Sequence, residues 1–407
     1  MLRDAYRPPG EAGLWGQFLA HLEQTLRACQ AHPSTVEYLT HPRRIVTVSL
    51  PVKMDDGSVR FFTGYRVVHN ITRGPSLGGV RYHPQVTLGQ TAGLAAWMTL
   101  KAAVHNLPYS GSAGGIAVDP KLLSRRELER LSRRYVSELT NLLGPDLDIL
   151  SSDVGTDDQV MAWFMDTYSM NVGETVPGVV TDKPVALGGA ELPGAAGEGL
   201  LLVLEEFAHR RGWPLEGATL AVQGWGRVGR GVAQAAQARG LKVVALSTSR
   251  GGLYDPKGLD LDEPKGQVIS NEELLRLPVD YLVPAAIEGI IDANATEVQA
   301  RVVVEGANAP VTPLGERILR SRGIEVIPDL LANGGGLVLS YLEWVQDLNM
   351  LFWEPPELKE QLRSSVVQTV AAVIAKAEAL GSDLRTATWA LAVERINEGT
   401  RLRGVYP

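Results

Sequence analysis

Cysteine is almost missing from this 407-residue chain: Cys29 stands alone, which excludes an intramolecular disulfide framework. It falls at helical spacing with Phe18, Leu22 and Leu26 and reads as a core thiol. No run of about 18 apolar residues occurs, so no spanning helix is expected. No secretory leader pattern opens the chain, and a cytoplasmic protein with no membrane partner is the expectation. Concentrated basic charge is also lacking. Acidic residues outnumber basic ones, 46 to 39, for a formal charge of -7. The pairs Arg125-Arg126 and Arg133-Arg134 sit in a Glu-rich helical pattern and read as a solvated face, so no nucleic-acid partner is expected. No metal site is expected either. A hydrophobic content of 45% and a charged content of 21% suit a globular chain of two or three domains with full cores.

Glycine, by contrast, is plentiful. The stretch LPYSGSAGG, residues 107–115, is densest in small residues. It follows a helical pattern that carries Lys101 and leads into the apolar run 116–118. Small residues let a backbone approach a ligand closely, and the stretch reads as a ligand-cradling loop at a strand edge. Upstream, residues 14–31 form an amphipathic helix. Arg44–Lys53 and Val59–Val68 are β-rich and flank Asp55-Asp56-Gly57, a hairpin signal. Residues 74–84 are punctuated by Gly and Pro, and 87–100 turn helical. Ser124 with Glu127 forms a capping box for a helix reaching about 143. Residues 147–150 read as a strand, and Thr156 with Gln159 caps the helix 157–168.

Around 177–193 the texture turns to Gly, Pro and small residues, a domain hinge. Beyond it, the strand Thr219–Gln223 runs directly into Gly224-Trp225-Gly226-Arg227-Val228-Gly229, then a helix to about 239 and a strand at 241–247. Strand, G-x-G-x-x-G, helix, strand is the context of a dinucleotide fingerprint. NAD-using domains usually place a carboxylate after the second strand; here it ends Ser247-Thr248-Ser249-Arg250. Arg250 could meet a 2′-phosphate instead, which tilts the reading toward NADP and leaves NAD open. An inherited fold with an idle pocket is the bland alternative. Further strands are expected near 281–283, 302–305 and at Glu325–Ile327. Helices follow at 337–350, 358–380 and 384–399.

With these pieces in place, the chain resembles the glutamate dehydrogenases of the Glu/Leu/Phe/Val dehydrogenase superfamily over nearly its full length. The resemblance rests on nine ordered blocks: residues 63–67, GPSLGGVRYHP (74–84), MTLKAAV (98–104), DVGTDDQVMAWFMDTYS (153–169), PGVVTDKP (177–184), QGWGRVG (223–229), GGLYDPKGLD (251–260), VVEGANAPVTP (303–313) and PDLLANGGGLVLSYLEWVQD (328–347). It implies an α/β fold: a substrate-binding and oligomerisation domain from 1–185 with 337–407, and a doubly wound Rossmann domain at 186–336. It implies conversion of glutamate and NAD(P) to 2-oxoglutarate, ammonia and NAD(P)H. The α-carboxylate lysine of the family matches Lys101, the proton-shuttling aspartate Asp153, and the γ-carboxylate serine Ser340. The paired glycines of the family's G-P-x-K-G-G pattern match Gly78 and Gly79. Cofactor contacts fall at Gly224, Gly226, Gly229, Thr248 and Asn308.

Two lysines of that pattern are absent. The γ-carboxylate lysine corresponds to Leu77, as in the related leucine dehydrogenases, whose pocket takes apolar side chains. The catalytic lysine corresponds to Ala113. Losing a general acid–base group typically costs about 10²–10⁴-fold. Near the cofactor, Ala196 lacks the hydroxyl of A-T-G-R-G, Glu198 inverts its positive charge, and Gly289 stands where P-A-A-x-E-N ends in Asn. These departures together suggest a catalytically weak or inactive regulatory subunit. It would assemble with a catalytic glutamate dehydrogenase subunit in a hetero-oligomer, a hexamer by resemblance, with an amino-acid effector, leucine first. The alternative is an active NAD(P)-dependent dehydrogenase of glutamate or an aliphatic amino acid, its base supplied by a water on Asp153 or by His83 or His105. A scaffold unrelated to amino acids is a third reading.

Overall fold

The structure, a computed structural model, describes residues 13–404 apart from 30, 191 and 193. The ends of the expected first domain, 1–12 and 405–407, lie outside the described residues. Two compact units form, one from 1–191, 339–358 and 392–407, the other from 192–338 and 359–391. The expected division gave all of 337–407 to the first domain and 186–336 to the second; residues 337–338 and 359–391 cluster with the second unit and 186–190 with the first.

In the first unit, strands β1 (Arg44–Lys53), β2 (Val59–Val68), β3 (Ser76–Tyr82), β4 (Ser110–Ile116) and β5 (Asp148–Ser152) form one sheet ordered β1-β2-β4-β3-β5. β1 and β2 are the hairpin that Asp55-Asp56-Gly57 signals, antiparallel from Arg44↔Val68 to Lys53↔Val59. β2 also pairs antiparallel with β4, whereas β4, β3 and β5 run parallel. The helices of this part are α1 (Leu14–Leu26), α2 (Pro33–Thr40), α3 (Leu88–Val104), α4 (Arg125–Leu139) and α5 (Asp158–Val172). The Ser124–Glu127 capping box is present at the start of α4. At α5 the expected cap differs: the Asp157 carboxylate accepts the Val160 N–H (3.0 Å), while the Thr156 hydroxyl donates to the Val80 carbonyl (2.9 Å). Cys29 is a buried thiol.

The small-residue stretch at 107–115 is not a loop. Residues 110–116 are β4, an interior strand buried throughout. Its glycines answer to close packing and not to turn geometry. A Cβ at Gly111 would stand 2.1 Å from the Thr99 nitrogen of α3, and one at Gly114 would stand 2.3 Å from the Tyr135 hydroxyl of α4. Helices press on one face at Gly111 and on the other at Gly114, leaving no room for a side chain at either. Residues 76–82, which read only as a punctuated stretch, form β3; a Cβ at Gly78 would meet the Ser112 carbonyl of β4 at 1.6 Å.

The second unit carries β6 (Thr219–Gln223), β7 (Lys242–Thr248), β8 (Gly251–Tyr254), β9 (Gln267–Ile269), β10 (Tyr281–Pro284), β11 (Val302–Val304) and β12 (Glu325–Ile327). The sheet is ordered β12-β11-β10-β6-β7-β8-β9; β12 to β7 are parallel, and β8 and β9 add antiparallel at the edge. The chain moves outward from β6 to β7 and returns to β10 on the other side of β6. That is the strand-order reversal at which doubly wound sheets bind ligands. Its helices include α6 (Ala195–Arg211), α7 (Arg227–Gln237), α8 (Asn271–Leu275), α9 (Pro313–Ser321) and α10 (Asp329–Ala332). The chain continues through α11 (Gly335–Asn349), α12 (Pro355–Leu380) and α13 (Leu384–Arg403). No helix among the described residues is long and apolar enough to cross a membrane.

Candidate functional site

Strand register sorts the candidates of the first unit. Paired residues of a sheet point to one side and neighbours along a strand to opposite sides. Leu77 pairs with Gly111 and Ile149, Gly79 with Ser151, and Val67 with Ala113. Leu77, Gly79 and Arg81 of β3, Ala113 of β4, and the end of β5 leading to Asp153 therefore share one face, the face on which α3 lies at Gly111. A Cβ on Gly79 would stand 2.8 Å from the Asp153 Cβ, so that glycine leaves the room Asp153 occupies. Asp153 accepts from Arg81 Nη2 at 3.2 Å and from the Val154 N–H at 2.6 Å. Its own N–H donates to Thr156 Oγ1 at 2.8 Å. Leu77 and Ala113 are buried, at 1% and 2% exposure, so neither position is served by solvent.

Lys101 is buried in the last turn of α3. Ser340 is buried on α11, on the helical face of Glu343, Trp344 and Asp347. Trp344 and Tyr341 pack their rings on Tyr109, the residue just before β4 (5.2 and 5.9 Å). Gly78 has the other parity. Its carbonyl accepts from Arg66 Nη1 (3.0 Å) on the opposite face.

That opposite face holds a network that the sequence did not reveal. Arg66 and Asp148, 1% and 2% exposed, pair through Nε–Oδ2 (2.8 Å) and Nη2–Oδ1 (2.6 Å). The hydroxyls of Ser76 and Ser112 donate to the same carboxylate (2.8 and 2.6 Å). A bidentate, fully satisfied pair of this kind fixes the relative register of β2, β4, β3 and β5. The two histidines considered as substitute bases sit elsewhere on the chain path. His83 Nδ1 accepts the N–H of Gln85 (3.2 Å) in its own turn, and His105 is the buried C-cap residue of α3.

In the second unit the glycine turn has distinct geometry at each position. Gly224 has φ 103°, a left-handed backbone that a side chain would strain. A Cβ at Gly229 would lie 1.8 Å from the Gly224 carbonyl, so this position lets α7 pack against the turn. Gly226, the N-cap of α7, has nothing within 4 Å of where a Cβ would be. A helix start with no side-chain cap and room at its N-cap glycine fits the pyrophosphate of a dinucleotide. Thr248 ends β7, exposed, and its carbonyl accepts from Asn271 Nδ2 (3.0 Å).

Asn308 lies in the turn after β11, beside Ala309, whose φ of 45° is left-handed. The Asp329 carboxylate holds the Ala309 N–H (2.7 Å), and Glu305 holds the Asp329 N–H (2.8 Å). Arg385 completes the cluster, donating to Glu305 (2.7 Å) and pairing with Glu316 and Asp329. Burial pushes the Glu305 carboxyl up to about 8, with Arg385 opposing and Asp329 and Glu316 adding to the rise. Glu198, read from sequence as a charge inversion near the cofactor, is engaged structurally. Arg239 grips both its oxygens (2.9 and 3.0 Å) and Lys359 a third contact (3.2 Å). The Arg239 hydrogen bonds hold its carboxyl below the usual range, against the effect of burial. Gly289, in place of the expected Asn, has φ 68°, a conformation that Asn also tolerates. Among the described residues no group of three or more His, Cys, Asp or Glu is arranged to hold a metal ion.

A mixed sheet that gathers Leu77, Gly79, Ala113 and the approach to Asp153 on one face, and a doubly wound unit with a glycine turn at its strand-order reversal, match the two-part plan of the nicotinamide-dependent amino-acid dehydrogenases. The chain belongs to the Glu/Leu/Phe/Val dehydrogenase family: its dimerisation domain matches residues 42–170, and the Glutamate/Leucine/Phenylalanine/Valine dehydrogenase domain matches 188–265 and 262–404. A glutamate dehydrogenase of Thermotoga maritima is 50% identical over 91% of this chain and 93% of its own. The NAD-specific glutamate dehydrogenase A of Halobacterium salinarum is 43% identical over 91% and 89%, and the NADP-specific enzyme of Synechocystis 41% over 94% and 95%. Among solved structures, the leucine-bound form of the hetero-hexameric glutamate dehydrogenase of Thermus thermophilus superposes with a TM-score of 0.96. It is 57% identical, covering 99% of this chain and 100% of that one. The chain is thus a member of the glutamate dehydrogenases, NAD(P)-linked oxidoreductases, and a nicotinamide dinucleotide is the cofactor of its relatives.

Proposed function

We propose that this chain is the regulatory, catalytically weak or inactive subunit of a hetero-oligomeric glutamate dehydrogenase, responsive to leucine. In that role it modulates the oxidative deamination of glutamate to 2-oxoglutarate by a catalytic partner. The observation that carries the reading is Ala113. On a buried strand, on the sheet face shared with Leu77 and Asp153, the position where the family keeps its catalytic lysine has no titratable group. The bound nicotinamide would supply hydride transfer; the proton work falls to the protein, and Asp153 alone of the family's pair remains for it. Leu77 supports an apolar occupant. A buried leucine cannot compensate the second carboxylate of glutamate, whose desolvation without a partner is costly. Lys101, in its retained position, keeps a grip suited to the α-carboxylate, the common end of an amino acid. The hetero-hexameric, leucine-bound state of the Thermus thermophilus relative agrees with this assignment.

An active dehydrogenase is the second reading, favoured by Lys101, Asp153, Ser340 and the open glycine turn all being retained. The two separate in one experiment. Glutamate and 2-oxoglutarate turnover are measured for the purified chain alone with NAD and NADP, then for its co-purified complex with a catalytic homologue, with and without leucine. The regulatory reading expects no turnover alone and leucine-dependent stimulation of the complex. Robust turnover by the isolated chain would overturn it.

A further inference from the structure

Beside the carboxyl end of β5 runs the segment 180–183, where the Thr181 N–H donates to the Leu150 carbonyl (2.8 Å). The next residue, Asp182, has φ 62°, in the left-handed region where glycine is the least strained choice. Its side chain accounts for its presence. Oδ2 accepts both the N–H of Ser152 (3.1 Å) and the Ser152 hydroxyl (2.6 Å), and Ser152 is the residue that leads into Asp153.

The backbone of the same segment is held from the other side. Glu343 accepts the N–H groups of Asp182 (3.2 Å), Lys183 (3.4 Å) and Ala190 (3.2 Å). The Lys183 side chain, fully buried, donates to Glu343 and to Asp347, both at 2.7 Å. Glu343 and Asp347 are one turn apart on α11, and Ser340 precedes Glu343 by three residues on the same helical face. A continuous chain of contacts thus runs Asp153–Ser152–Asp182–Glu343 and along one helical turn to Ser340.

We infer that Asp182 is a positioning residue, fastening the strand end that presents Asp153 to the helix that carries Ser340, so that the amino-acid pocket is preformed. This deepens the proposed function and rests on its reading of that pocket as an amino-acid site. A residue that merely formed a turn at this φ would need no carboxylate, and glycine would serve as well or better.

The test uses the full-length chain and two substitutions. Asp182→Gly removes the carboxylate while relieving the left-handed backbone, so loss of folding does not confound it. Asp182→Asn keeps an acceptor oxygen and tolerates the same φ. Amide hydrogen exchange at Asp153 and Thr156 is read without ligand, and leucine and glutamate affinities are read by calorimetry. Losing one to two hydrogen bonds predicts exchange about tenfold faster and leucine binding about tenfold weaker in Asp182→Gly. Asp182→Asn is expected to restore both to within about twofold, because the same two bonds can form. Unchanged exchange and affinity in Asp182→Gly would overturn the inference and leave the pocket reading standing. Faster exchange in a protein whose unaltered form binds neither amino acid would sustain the fastening and overturn the pocket reading.

Discussion

Restoring the missing lysine is the sharpest test of the proposed loss of catalysis. In Ala113→Lys the new side chain would start from a strand position that is 2% exposed. Along β4 on that face, Gly111 is pressed by α3 and a Cβ at Gly115 would meet Val86 at 2.9 Å, so the chain cannot extend up or down the strand. Sideways, Gly79 of β3 offers no side chain, and Asp153 lies just beyond it. The lysine is thereby directed toward Asp153, the proposed proton carrier. Burial lowers the pKa of an ammonium, which is what a base at this position needs, while Asp153 acts in the other direction. A general acid–base contributes about 10²–10⁴-fold, or about 2.7–5.5 kcal/mol of barrier. Ala113→Lys should therefore raise kcat for glutamate by about two decades or more above the unaltered chain. Leu77→Lys, by contrast, acts on binding: a charge-assisted partner for the γ-carboxylate should lower KM by about 10–100-fold. The double variant should show both gains. Initial rates are followed by nicotinamide reduction, with thermal unfolding checked to confirm that each variant folds. If the unaltered chain turns over glutamate as fast as Ala113→Lys, the argument from the missing base is refuted.

Two further outcomes follow from the second unit. Glu305, raised from 4.5 to about 8, holds a proton in the folded chain that the unfolded chain releases at lower pH. Its contribution to stability is complete below about 4.5 and is lost as pH rises toward 8, at up to about 1.4 kcal/mol per pH unit. Denaturant unfolding of Glu305→Gln should lack that decline, so the variant gains on the unaltered chain between pH 6 and 9; parallel curves would refute the assignment. At the glycine turn, Gly229→Ala forces a methyl against the Gly224 carbonyl and should cost about 1–3 kcal/mol or more in unfolding assays. Gly226→Ala, with open space around it, should fold normally yet lose NAD(P) affinity in fluorescence titrations. Equal binding by Gly226→Ala and the unaltered chain would show that this helix start is not the pyrophosphate seat.

Much of this architecture is written locally. The β1–β2 hairpin, the capped start of α4 and the strand–glycine–helix run of β6 and α7 are legible because each signal lies within a few adjacent residues. The misreading of β4 has a physical cause. Glycine and serine have low strand propensity, and here they are selected by two helices crowding one strand, which no local pattern records. The charged networks were hidden for another reason. Arg66 and Asp148 are 82 residues apart, and Lys183 and Glu343 160. Glu343 and Asp347 do show the four-residue spacing of a shared helical face, a hint that a buried cation had to meet them. Leu77 and Ala113 were legible only by resemblance, since an apolar residue in a buried strand is otherwise unremarkable.

The opposite parities of the first sheet have an evolutionary consequence. In the proposed reading the positions that bear on chemistry lie on one side of the strands, whereas the ionic brace of Arg66 and Asp148 secures them from the other. The two sets of side chains can drift independently. A duplicated copy could shed its reactive groups one by one, each loss erasing turnover and none loosening the scaffold on which a partner docks. Mutational tolerance should accordingly be lopsided, permissive at positions 77 and 113 and strict at 66, 112 and 148. Such a sheet makes the passage from enzyme to regulator a short one.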